Sequence, residues 1–169
     1  HEQKFRDHLT GIYNRKGFIR MTERVLAHCK DRMDYAVLFF NFRNFKAINE
    51  LFGTAGGDAI LIQFAEKLQN SFLQPVISAR VDSDHFVCLV KKENLDLEQL
   101  SSFCEHLHEQ DGRKMWILRR CGIYYVKEEE MPISGMIDRA KLAKEYIVDE
   151  YVQPYAVYSR DMKESYIDQ

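Results

Sequence analysis

The sequence predicts an α+β fold with a largely antiparallel sheet, on two observations. Strand-like and helix-like segments mix without strict βαβα alternation. One hairpin also stands out, with Pro75 to Arg80 and Phe86 to Val90 as its arms and the polar stretch Val81-Asp82-Ser83-Asp84-His85 as its tip. A chain of 169 residues fits one domain with a core of its own.

The elements follow in order. His1 to His8 is polar and reads as a helical tail; the absence of an initiator methionine points to a piece of something longer. In Leu9-Thr10-Gly11-Ile12-Tyr13-Asn14-Arg15, Gly11 can turn the chain and Asn14 can cap the next helix. That helix carries Phe18, Ile19, Met21, Val25 and Leu26 on one side. Ala36 to Phe40 is an uninterrupted apolar run, as expected for a strand buried on both faces. It stops at Asn41-Phe42-Arg43-Asn44. Phe45, Ile48, Leu51 and Phe52 then recur at helical spacing, Gly53, Gly56 and Gly57 punctuate a turn, and Ala59, Ile60, Ile62, Phe64, Ala65 and Leu68 resume a helix. A strand ending in polar groups beside helix starts is an edge that phosphate-bearing ligands favour.

Beyond the hairpin, Leu95 to Gln110 reads as an amphipathic helix with Leu97, Leu100, Phe103, Cys104 and Leu107 inward. On it His106 and His108 would point to different faces, which argues against a metal pair. Asp111-Gly112 ends that helix. Met115 to Val126 is a long strand interrupted by Gly122, a bulge or a site of close packing. Glu128-Glu129-Glu130 is a solvated loop, Ile133 to Ile147 a helix, and Tyr155 to Tyr158 a short last strand.

Composition excludes several function classes. The formal charge is −2, with no lysine- or arginine-rich run to suggest nucleic acid. The longest apolar stretches fall far short of the roughly 20 residues that a membrane helix needs. The first residues do not form a signal peptide. Cys29, Cys88, Cys104 and Cys121 are scattered in apolar contexts without a CxxC pair, so free buried thiols and a reduced, cytoplasmic setting are expected.

The stretch Asn41 to Asp58 resembles the first half of the GGDEF family, the diguanylate cyclases, whose pattern there is roughly DxDxFKxINDxxGHxxGD. Phe45-Lys46, Ile48-Asn49 and Gly57-Asp58 fall in register without a gap. Asp7, Leu9, Thr10, Gly11, Asn14, Arg15 and Phe18 match the family's opening D-x-LTGLxNRxxF. In the family the hairpin tip is the GGDEF motif itself; here Arg80 and Phe86 hold the flanks around Asp82-Ser83-Asp84-His85. The resemblance sharpens the fold to a ferredoxin-like, palm-type sheet flanked by helices. It divides the chain into an N-terminal linker helix over 1–8, a degenerate GGDEF domain over 9–160 and a C-terminal linker over 161–169. Asp161-Met162-Lys163-Glu164-Ser165 resembles a connector to an EAL phosphodiesterase domain.

Diguanylate cyclases join two GTP molecules into cyclic di-GMP, a step in which divalent metal offsets phosphate charge and activates the attacking oxygen. The family's metal-binding carboxylates carry over to Asn41, Asp84 and His85, so Asp84 is the one acidic position to survive. Asn41 offers only a neutral carbonyl, and His85 suits softer metals than magnesium. Arg43 replaces the second aspartate of the DxD, and Asp82 and Ser83 replace the two hairpin glycines. An Arg43 pairing with Asp82 or Asp84 would hold the tip shut. The guanine contacts carry over to Asn49 and Asp58, and Lys144 resembles the phosphate-facing lysine of an AK motif, without the GRN that follows it in the family. The inhibitory RxxD falls on Leu73 and Val76 and is absent.

The resemblance thus implies a catalytically silent regulatory or GTP-binding module in cyclic di-GMP signalling. No cofactor is expected, magnesium being required only if activity remains. GTP, a second copy, and an adjacent EAL or sensor domain are the expected partners. A working or residual cyclase and a dimerisation module without nucleotide are the alternatives.

Overall fold

The computed structural model describes residues 2–162. A six-stranded sheet runs in the order β2-β3-β1-β5-β4, built from β1 (Tyr35–Phe42), β2 (Ile77–Asp82), β3 (His85–Lys91), β4 (Glu105–Gln110) and β5 (Arg113–Tyr125). All neighbours on this path are antiparallel; β6 (Tyr155–Val157) adds a parallel pairing, against Cys121 to Ile123 of β5. The expected largely antiparallel α+β sheet is therefore present.

β1 is the middle strand, with Leu38 opposite Cys88 on one side and Ile123 on the other. Its unbroken apolar run is explained by two cores. Leu38, Phe40 and Phe42 pack with Ile48, Ile60 and Phe64 of α2 (Phe45–Gln69). Val37 and Phe39, pointing the other way, pack with Phe18 of α1 (Arg15–His28) and with Met136, Ile137 and Ala140 of α4 (Ile133–Lys144). Each fully buried aromatic contributes about 1.5–3 kcal/mol through the water it sheds.

Local chemistry fixes the helix ends. Asn14 caps α1 by accepting from Gly17 N–H at 2.9 Å. In α2 the break falls at Gly53 alone, whose φ of 76° no ordinary side chain adopts comfortably. Gly56 and Gly57, expected in the turn, lie within the helix. Gly122 packs closely instead of bulging: a Cβ there would stand 1.7 Å from the Ala140 carbonyl oxygen, so α4 rests directly on β5.

Several expectations are corrected. The helix predicted over Leu95 to Gln110 is α3 (Leu97–Phe103) followed by β4, which turns through Asp111 (φ 54°) and Gly112 (φ 76°) into β5. His106 and His108 therefore share a face, with ring centroids 6.0 Å apart. At the N-terminus, Glu2–Phe5 is a 3-10 turn, and Tyr13 lies along β2, donating to Ser78 O and accepting from Arg80 N–H. α4 ends at Lys144 instead of Ile147. Lys163 to Gln169, with most of the EAL-type connector, lie outside the described residues.

All four cysteines are free, and Cys88, Cys104 and Cys121 are buried as expected, whereas Cys29 is partly exposed. Burial pushes the Cys104 thiol up to about 12 and raises Cys88 and Cys121 as well, so these thiols are inert. Among the described residues no helix is long and apolar enough to cross a membrane.

Candidate functional site

The candidate site lies where β1 ends beside the β2–β3 tip. Asp84 is buried and accepts the Phe42 backbone N–H through Oδ2 at 2.9 Å, so the hairpin tip is tied to the strand end. Its Oδ1 lies 3.8 Å from His85 Nε2. Asn41 is also buried, and its Oδ1 has no hydrogen-bond partner among the described residues. At the tip Ser83 takes a φ of 40°, a left-handed conformation that glycine adopts with least strain.

Arg80 braces this turn. Its Nε donates to Ser83 O at 2.6 Å and its Nη1 to Asp7 Oδ1 at 3.0 Å. Asp7 in turn accepts from the N–H and hydroxyl of Thr10 through Oδ2. The aspartate and threonine of the opening signature thus hold the hairpin through Arg80.

His85 sits on the α4 side of the sheet, its ring 5.3 Å from that of Phe39. Lys144, almost fully buried at the end of α4, places its ammonium 5.5 Å from the same Phe39 ring and 3.1 Å from Glu145 Oε1. Burial, with Lys141 and Lys144 adding to it, holds the His85 imidazole below its ordinary range against the opposing pull of Asp84 and Asp82. The ring is therefore neutral at pH 7. Lys144, assigned from a fragmentary motif, lies beside Phe39 of β1.

Arg43 does not pair with Asp82 or Asp84. It forms an ion pair with Glu150, whose other oxygen lies 3.8 Å from Arg120 Nε, and its guanidinium lies 5.3 Å from the Tyr151 ring centre. Glu150 belongs to the segment after α4, where the GRN of the family is missing. Sequence reasoning missed it because nothing local to Glu150 announces a partner more than a hundred positions upstream.

On α2, Asn49 and Asp58 are half-buried, and the Asn49 carboxamide packs against Gly57 so closely that a Cβ there would meet Oδ1 at 1.9 Å. The missing side chain at Gly57 leaves room for the Asn49 carboxamide.

The donor set is poor for magnesium. Asp84 has one oxygen occupied by a backbone N–H, Asn41 supplies a neutral oxygen, His85 is a nitrogen ligand, and Arg43 brings positive charge. A pair of hard dications does not fit these residues. Among the described residues no group of three or more His, Cys, Asp or Glu side chains could hold a metal.

The fold is that of the palm-type nucleotidyl cyclases. The chain belongs to the GGDEF domain family: residues 4–143 match the family described as diguanylate cyclase, GGDEF domain. It is 29% identical over 151 residues, 86% of its length, to the y4lL protein of Sinorhizobium fredii, of which it spans 18%. It is 32% identical over 91 residues to the Escherichia coli diguanylate cyclase DgcM, covering 53% of this chain and 22% of that one. The isolated GGDEF domain of TpbB (YfiN) from Pseudomonas aeruginosa superposes with a TM-score of 0.78 at 21% identity, covering 96% of this chain and 99% of that one. The chain is a GGDEF domain of the cyclic di-GMP signalling family.

Proposed function

We propose that this GGDEF domain is catalytically silent and serves as a regulatory module that contacts guanine nucleotide without converting it. The reading is carried by one observation: of the positions that would hold metal only Asp84 is a carboxylate, already engaged by Phe42 N–H, and the neighbouring Glu150 carboxylate is taken up by Arg43. Each metal ligand lost costs transition-state stabilisation, and about 1.4 kcal/mol is a factor of ten in rate. With Asn41, Arg43 and His85 all departing from acidic residues, the losses compound.

Nucleotide contact is a separate matter, because guanine recognition needs no metal. Asn49, packed against Gly57, and Asp58, next to Gly57 in the chain, are the residues that support it, with Lys144 carried over from the family for the phosphates. An aspartate accepting two N–H groups from a guanine edge distinguishes it from adenine.

Incubation of the purified protein with GTP and magnesium or manganese, followed by chromatography, tests the first part; the expected result is no cyclic dinucleotide, and its formation would overturn the reading. Calorimetry with GTP, with and without metal, tests the second. Metal-independent binding is the expected outcome, and no binding leaves only a module that acts through protein contacts.

A further inference from the structure

A second site lies on the opposite face of the sheet from Arg120. Arg119, one position earlier on β5, is 2% exposed and packs its guanidinium among three aromatic rings, 4.5 Å from Phe64, 5.4 Å from Phe103 and 5.7 Å from Phe42. Its Nη2 donates to Phe103 O at 2.6 Å, while its buried Nε has no partner. Among the described residues no carboxylate lies within ion-pair distance of it. Burial lowers the Arg119 pKa only to about 10, so the group is a cation at pH 7. Burying a guanidinium costs several kcal/mol, which the three rings and one carbonyl offset only in part.

The space beside Arg119 is a cavity of 630 Å³ between α2, α3 and β4. Small-molecule sites commonly fall between about 300 and 1,000 Å³. Lys67 and His106 line it, joined at 3.1 Å between Nζ and Nδ1, so two further donors border the same space. Burial and the Arg119 charge both lower the Lys67 pKa, a mark of crowded positive charge. Glu66 is also on the wall but forms no ion pair with this group. Ile60, Phe64, Phe72 and Phe103 make much of the remaining wall apolar. Leu73 and Val76, where the family's inhibitory motif would stand, do not line it.

We propose that this cavity binds an organic anion, a carboxylate on an aromatic or aliphatic body, with Arg119 and Lys67 meeting the carboxylate and the phenylalanine wall covering the body. This site is independent of the nucleotide reading above. The guanidinium and ammonium favour an anion; the apolar wall favours an organic one over an inorganic one.

The test uses benzoate as the aromatic carboxylate and octanoate as the aliphatic one, with benzamide as the neutral isostere and inorganic phosphate as the ion without a body. Binding is read by calorimetry and by amide shifts of the residues around Arg119. Benzoate or octanoate is expected to bind and to shift Phe103 and His106, with benzamide and phosphate at least about tenfold weaker, the worth of one charge-assisted bond. Lys67→Gln is expected to weaken the carboxylate about tenfold, and Arg119→Met to abolish its binding. If Arg119→Met fails to fold, Lys67→Gln and the benzamide comparison still decide. No binding of either carboxylate at millimolar concentration, equal binding of benzamide, or equal binding of phosphate would each overturn the proposal.

Discussion

Arg43 and Glu150 are ion-paired across the end of β1, so a position that is acidic in the family is basic here and draws in an acid from beyond α4. Arg120, the residue opposite Asn41 on β5, shares the same carboxylate. Glu150 is thus flanked by two guanidiniums that would repel one another without it. Half of the Arg43 side chain is exposed, which keeps the pair's worth near that of a surface interaction. Glu150→Gln is expected to cost about 1 kcal/mol in urea denaturation at low salt. The difference shrinks in high salt, where screening replaces the lost carboxylate.

Asp84 holds the hairpin to the strand through one buried bond to Phe42 N–H. Asp84→Ala leaves that donor unpaired and is expected to destabilise the fold by about 1–3 kcal/mol. Asp84→Asn retains an oxygen acceptor and is expected to lose less. Thermal melts of the two variants side by side check the ordering; equal losses would mean that the negative charge, not the acceptor, matters.

The packing of α4 on β5 permits no side chain at Gly122. Gly122→Ala drives a methyl into the Ala140 carbonyl oxygen and is expected to cost about 3 kcal/mol. Because the clash is with backbone, repacking cannot relieve it, and the denaturation midpoint is expected to fall accordingly.

How much of this was legible varies with the range of the interaction. The β1 run, the Asn14 cap and the hairpin follow from residues close in sequence, and the structure keeps all three. The β4–β5 hairpin was missed although Asp111-Gly112 is a favoured two-residue turn with both φ values positive. Leu97, Leu100, Phe103, Cys104 and Leu107 fit a helical period equally well, and that longer pattern masked the turn. Glu150 and Arg119 were beyond local reading, since their meaning comes from partners on other elements. Of the candidate residues, Asn41, Asp84 and His85 lie at the end of β1 and the hairpin tip, Lys144 lies beside Phe39, and Asn49 and Asp58 are both on α2.

Acid sensitivity is expected from His106. Burial first, then the charges of Lys67 and Arg119 and the nearby His108, bring its pKa from 6.5 to about 4 in the folded chain. The unfolded chain takes up the proton at the higher value, so stability is full above about pH 6.5 and falls as pH drops toward 4. His106→Gln cannot take up that proton, and its urea midpoint is expected to decline less over this window. A wild-type midpoint that stays flat from pH 7 to 4.5 would contradict this.

Guanine contact is checked with Asp58→Ala. If GTP binds, the variant is expected to lose about tenfold in affinity and most of its preference over ATP, with unchanged melting. An unaltered GTP affinity would place the base elsewhere.

Tyr13 lying along β2 has a consequence for shortened versions of this chain. It satisfies Ser78 O and Arg80 N–H on the outermost strand, groups that otherwise face water and offer a template to any passing extended segment. Removing everything ahead of Arg15 would uncover that row and leave a molecule that grows by strand addition into clumps, whatever its nucleotide chemistry.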